Sequence, residues 1–112
     1  MAKTFIILTD SMGSGDVELG RKLMKNFLYY LARNDTPPER VMFANHGVRL
    51  ACEGSESLED LQMLVDKGVA VGSCGTCLDE LGLRDKVAVG GVGEMRDSVA
   101  LLCSDAQVVT IA

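Results

Sequence analysis

At 112 residues the chain has room for one domain, residues 1–112, built around one hydrophobic core. Its composition, 47% hydrophobic and 24% charged, excludes a disordered polypeptide. A formal charge of -5, with eleven Lys and Arg scattered along the chain, excludes nucleic acid as the main partner.

No apolar run approaches the roughly 18 residues that a membrane span needs. The opening segment, Met1 to Gly13, reads as a first strand and not as a signal peptide. No membrane is expected as a partner, and the expected location is the cytoplasm. In such a reducing compartment the four cysteines are not a disulfide framework; they pack, bind metal or react.

The first strand is "KTFIILT", Lys3 to Thr9, apolar enough to be buried on both faces. From Val17 to Arg33 the spacing of Leu19, Leu23, Met24, Phe27, Leu28 and Leu31 predicts a helix. "RNDTPPER" breaks it, because proline cannot continue a helix. "RVMFAN", Arg40 to Asn45, reads as a second strand. In "EGSESLEDLQMLVDKG" a second helix carries Leu58, Leu61, Leu64 and Val65 on one face. Ser57 and Asp60 have capping-box spacing there, and Gly68 is the stop.

"VAV", Val69 to Val71, is a short third strand that leads straight into the cysteines. A brief helix from Cys77 to Leu81 follows, ended by Gly82. "KVAVGG" reads as a weak fourth strand. Glu94 to Cys103 is a helix with Met95, Val99 and Leu102 inward, and "QVVTI" is the fifth strand. This alternation predicts an α/β fold, a three-layer domain with a mostly parallel sheet of about five strands flanked by helices.

In a parallel sheet the C-terminal ends of all strands share one edge, where ligands sit. Asp10, His46, Cys52, Cys74 and Cys77 are expected along it. Cys103 belongs to the other edge, as a small core residue. Cys74 follows a strand and precedes a short helix, so its sulfur is expected to face the first N–H groups of that helix. Such a setting favours the thiolate, the reactive form.

A Cys-x-x-Cys pair can hold zinc, cycle as a disulfide or carry sulfur. Zinc needs four ligands, and one pair with a single histidine does not supply them in any common spacing. No metal and no cofactor is therefore expected. A thioredoxin-like pair suits a strand-to-helix junction, but the chain has no Trp, and the helix after the pair is short.

"TDSMGSGDVELGRK" is glycine-rich without being a phosphate loop. Glu18 stands where the dinucleotide pattern needs glycine, and Arg21–Lys22 follow Gly20 where Lys and Ser or Thr are required. It reads as a strand-to-helix turn with acidic residues at the helix start. The lone His46 is a surface or packing residue before it is a catalyst. Cys52 is either loop packing or an accessory thiol. Phe27, Tyr29 and Tyr30 leave room for an interface.

Four segments together, "GSGDVELGRKLMKNFLYYL", "EGSESLEDL", "SCGTCLDELGLRDKVAVG" and "SVALLCSDAQVVTI", resemble the DsrE-like family of small sulfur-relay proteins over nearly the whole chain. Within it, the pattern is most similar to the C-terminal DsrE-like domain of YedF-type proteins, which are sulfurtransferase-like and linked to selenium metabolism. The resemblance implies a parallel α/β sheet, a homo-oligomer (trimer or hexamer), and a cysteine after the third strand that carries sulfur as a persulfide. That cysteine corresponds to Cys74, with Cys77 the extra thiol of the YedF-like pattern. Both are candidate catalytic residues.

YedF-type proteins join this domain to a TusA-like sulfur carrier, which the chain as given lacks. The expected partners are sulfur donor and acceptor proteins, a TusA-like carrier among them. The expected function is persulfide relay on Cys74. The alternatives are a dithiol–disulfide oxidoreductase using Cys74 and Cys77, or a non-enzymatic interaction or metal-binding subunit.

Overall fold

The apolar run at the N-terminus becomes the centre of a sheet. In a computed structural model describing residues 3–112, the strands are β1 (Lys3–Ile7), β2 (Arg40–Phe43), β3 (Ala70–Cys74), β4 (Gly91–Gly93) and β5 (Gln107–Ile111). The helices are α1 (Val17–Arg33), α2 (Leu58–Asp66), α3 (Gly75–Glu80) and α4 (Met95–Leu102), with 3-10 turns at Asn45–Ala51 and Arg84–Lys86. The strand order is β4-β3-β2-β1-β5, and every pairing is parallel. The α/β class, the strand number and the flanking helices are as the sequence predicts.

Register decides which side chains meet. Phe5, Val41 and Val71 stand side by side, and two residues on so do Ile7, Phe43 and Ser73. This face meets α1, because the Phe5 ring stacks on Phe27 with centroids 6.0 Å apart. Ile7, Val41 and Phe43 pack there with Met24 and Leu28 of α1 and Leu61 and Leu64 of α2, all fully buried. Burying each large side chain contributes about 1.5–3 kcal/mol.

α1 runs from Val17 to Arg33 as predicted, with Asp16 capping it by accepting the Leu19 N–H at 2.9 Å. Its buried stripe is Gly20, Met24, Leu28 and Ala32, while Leu19 and Leu23 are 55% and 44% exposed. The stripe is rotated because Gly20 lies against the chain leaving β1, where its carbonyl accepts the Met12 N–H at 3.0 Å. Small residues, invisible to a count of large apolar ones, choose the face.

Gly68, in the left-handed region, ends α2 as expected. The capping box does not form: Ser57 makes no side-chain cap bond. Asp60 is instead 2% exposed and bonds across to α1, accepting from Lys25 Nζ at 2.9 Å and Arg33 Nη1 at 3.0 Å. Two cations on the facing helix outbid one local amide for that carboxylate.

Two further expectations are corrected. "KVAVGG" is not the fourth strand: Ala88 N–H donates to the Ala51 carbonyl, Glu53 N–H donates to the Lys86 carbonyl, and Cys52 and Val87 form an isolated antiparallel bridge. The chain then turns at Gly90, and β4 begins only at Gly91. In α4, Met95, Val99 and Leu102 point outward, at 61%, 49% and 50% exposure, and no residue of the helix is buried. Spacing shows that these residues share a face without saying what the face meets. The connection from β4 to β5 runs back across the sheet, so a right-handed crossover puts α4 on the face opposite α1. No helix among the described residues is long and apolar enough to cross a membrane.

Candidate functional site

β3 continues past Val71 to Cys74 because Ser73 and Cys74 pair with Val92 and Gly93 of β4. Gly75 then opens α3 at once, with Cys74 as its N-cap residue in extended conformation. A Cβ at Gly75 would sit 2.9 Å from an Arg84 guanidinium nitrogen and 3.3 Å from the Gly93 carbonyl, so a side chain there would have to push Arg84 aside. Arg84 is locked in place by Asp79 of α3, through Nε at 2.6 Å and Nη2 at 2.9 Å, and donates to the Gly75 carbonyl at 3.3 Å. This exposed pair bridges α3 to the turn that follows it, beside Cys74.

Cys77 stands one helical turn after Cys74, so both thiols lie on the same side of α3. Both are free and half-buried. The Asn45 N–H, from the turn after β2, donates to Cys77 Sγ at 3.1 Å. Burial pushes the Cys77 thiol up, and so does the neighbouring Cys74 sulfur; the Asn45 N–H pulls the other way and only partly offsets them. Cys77 is therefore a thiol that keeps its proton at neutral pH and can offer it toward Cys74.

One expected contact is absent. The Cys74 side chain makes no cap hydrogen bond to α3; its backbone alone begins the helix. The N–H donor in this site belongs to the β2 turn and reaches the other cysteine. With six residues, α3 is also short for a macrodipole to matter.

The remaining predicted edge residues separate. His46 is exposed, and its Nδ1 accepts from Arg49 Nε at 3.2 Å. Cys52 is buried; its thiol donates to the Val48 carbonyl at 3.2 Å, and burial pushes it up, so of its two readings packing holds. Cys103 is exposed, not a core residue, because α4 turns its apolar side outward. Asp10 lines a cavity of about 800 Å³ with Glu18, Arg21, Lys22, Arg49 and Glu56, and neither Cys74 nor Cys77 lines it. Charges of both signs share its walls. Among the described residues, no group of three or more His, Cys, Asp or Glu is placed to hold a metal ion.

Asn45 and Arg84 were missed in the sequence. β2 ends at Phe43, so Asn45 is not the last strand residue that the sequence suggested but lies two residues beyond it. Its one signal is that asparagine tolerates the left-handed conformation it adopts, at φ 50°. Arg84 left none, since an Asp–Arg pair five residues apart across a helix end matches no helical spacing, and its other target is a backbone carbonyl.

No family model and no curated protein matches the chain. Solved structures do. The YchN protein from E. coli matches with a TM-score of 0.70 at 18% identity, over 98% of this chain and 99% of that one. The protein of unknown function MTH1491 from Methanobacterium thermoautotrophicum matches with a TM-score of 0.69 at 17% identity, over 98% and 99%. BT1422 from Bacteroides thetaiotaomicron, a conserved protein of unknown function, matches with a TM-score of 0.69 at 12% identity, over 97% and 94%. At these identities the likeness is one of fold, and the fold is DsrE-like.

Proposed function

We propose that this is a small sulfur-relay protein that accepts sulfur as a persulfide on Cys74 and passes it on. One observation carries the reading: a half-buried free thiol closes β3 at the ligand edge of the sheet, with a second free thiol one turn along α3. The Cys74 thiolate attacks the outer sulfur of a donor persulfide, R–S–SH. The new S–S bond is to Cys74, the old one breaks, and the donor leaves as R–S⁻. Transfer to an acceptor thiolate repeats the step in reverse order.

Half-burial suits a carrier, since the sulfur must be reachable by a partner yet shielded from bulk oxidants. The competing dithiol–disulfide reading needs Cys77 to ionise readily, and burial works against that. Partners are sulfur donor and acceptor proteins, a separate TusA-like carrier among them. A reducing cytoplasmic setting would keep the cysteines as thiols. The likeness of the cysteine segment to YedF-type proteins extends the cargo to selenium as an alternative to sulfur.

Cyanide tests the reading, because it takes the outer sulfur of a persulfide as thiocyanate and returns the cysteine. Loaded protein is expected to yield about one thiocyanate per chain, lost in Cys74→Ser and kept in Cys103→Ser. Equal yields from Cys74→Ser and the parent would remove Cys74 from the reaction.

A homo-oligomer, trimer or hexamer, belongs to the same proposal. Met95, Val99 and Leu102 form an exposed apolar stripe along α4 that another copy can cover. Val99→Glu should lower the solution mass toward that of one chain, with thiocyanate yield per chain unchanged. Light scattering that finds the parent already monomeric at micromolar concentration contradicts this assignment.

A further inference from the structure

We propose that Asn45 is the positioning residue for Cys77: the turn leaving β2 holds the Asn45 N–H on Cys77 Sγ, and this donor sets how readily Cys77 attacks a persulfide on Cys74. The inference rests on the sulfur-relay reading and concerns how long the cargo stays bound.

Asn45 is the one non-glycine residue with positive φ among the described residues, at 50°, and that conformation sits in the turn whose N–H meets the sulfur at 3.1 Å. Asparagine is among the few side chains that accept this region without much strain. The turn is tied to β1 just before Asn45 and closed on itself just after it. Ala44 N–H donates to the Ile7 carbonyl at 3.0 Å, and Gly47 N–H to the Ala44 carbonyl at 2.9 Å. Gly47 itself is packed so tightly on the Ile7 carbonyl that a Cβ would collide with it. The turn is thereby held against the end of β1, with the Asn45 N–H directed at the sulfur.

The chemistry follows from the aim. A thiolate accepting an N–H bond is favoured over the thiol. Every other influence that the site exerts on Cys77 from outside its own residue, burial and the Cys74 sulfur, favours the thiol. Asn45 thus supplies the opposing contact. In the attack, the Cys77 thiolate bonds to Cys74 Sγ, the Cys74 S–S bond breaks, and HS⁻ leaves, giving a Cys74–Cys77 disulfide with no outside oxidant. The Asn45 side chain is exposed, so changing it alters the turn and not the packing.

The test uses a Cys74→Ser, Cys103→Ser background, with the pH profile of Cys77 alkylation by iodoacetamide as readout. Asn45→Gly keeps the left-handed turn and should keep the parent profile. Asn45→Val, which disfavours it, should move the midpoint up by about half a unit or more, about threefold slower alkylation on the rising limb. Asn45→Ala should move it the same way by less, and serves if the valine variant does not fold. A folded Asn45→Val with the parent profile, or Asn45→Gly shifted as far as Asn45→Val, overturns the proposal. Alkylation needs no sulfur transfer, so failure of the relay reading would show separately, as a parent that takes up no sulfur.

Discussion

Replacing Asp60 by alanine is expected to lower stability by about 2–3 kcal/mol, roughly a 10 °C fall in Tm for a chain of this size. The carboxylate is buried on α2 and takes both of its cations from α1, so it is a polar tie between the two helices that cover the core, beside the Lys67 ammonium that donates to the Ala32 carbonyl. Arg33 also donates to the Tyr29 carbonyl at 2.9 Å and lies 3.6 Å from the Tyr29 ring centroid, which fixes its direction. The loss falls below that of a fully buried pair, because Lys25 and Arg33 are over a third exposed and regain water. A thermal unfolding curve within 2 °C of the parent would show that the tie contributes little. Burial by itself would raise the Asp60 pKa, but Lys25 and Arg33 together outweigh it, and the carboxyl lies below the usual range. Its contribution is then fully present above the ordinary aspartate value, about 3.9, and is lost as pH falls through the lower folded value. Asp60→Asn should therefore differ most from the parent at neutral pH and converge with it in acid.

The second large effect concerns the lifetime of bound sulfur. Cys77→Ser should prolong a Cys74 persulfide about tenfold or more, since it removes the thiolate that would displace sulfide. Because burial and Cys74 hold the Cys77 pKa above the usual thiol value, Cys77 is a thiol at neutral pH, and resolution is slow there. As pH rises past the ordinary thiol value, about 8.5, the thiolate grows and sulfide release should accelerate in the parent. Cys77→Ser should lack that alkaline limb. Timed sulfide release across pH decides it, and a serine variant that releases sulfide as fast as the parent excludes Cys77 as the resolving thiol.

Much of the fold was legible because it depends on local pattern. The bounds of α1 follow from a turn with acidic residues at the helix start, a helical run and a proline break, and the parallel sheet follows from alternation of elements. What could not be read depends on partners distant in sequence. Asp60 looks like half of a capping box until Lys25 and Arg33 arrive from another helix. Val87 and Ala88 look like a strand, but they join the segment around Ala51 and Cys52 outside the sheet. The stripe Met95, Val99, Leu102 looks like a core face and is an outer one.

The cysteine site was legible in part. Cys74 could be placed at a strand end by its neighbours, and Cys77 by helical spacing. The hydrogen bond could not, because a backbone N–H carries no mark in sequence and its target was the second thiol.

The most direct measurement is the intact mass of the reduced protein after exposure to a persulfide donor, with Cys74→Ser alongside. Persulfide relay predicts a gain of about 32 Da, one sulfur atom, on the parent and none on the variant. The contradicting result is a Cys77→Ser protein that gains no mass, since that variant cannot close the Cys74–Cys77 disulfide that would discharge a persulfide as HS⁻. A loss of about 2 Da in the parent is then dithiol chemistry and not relay.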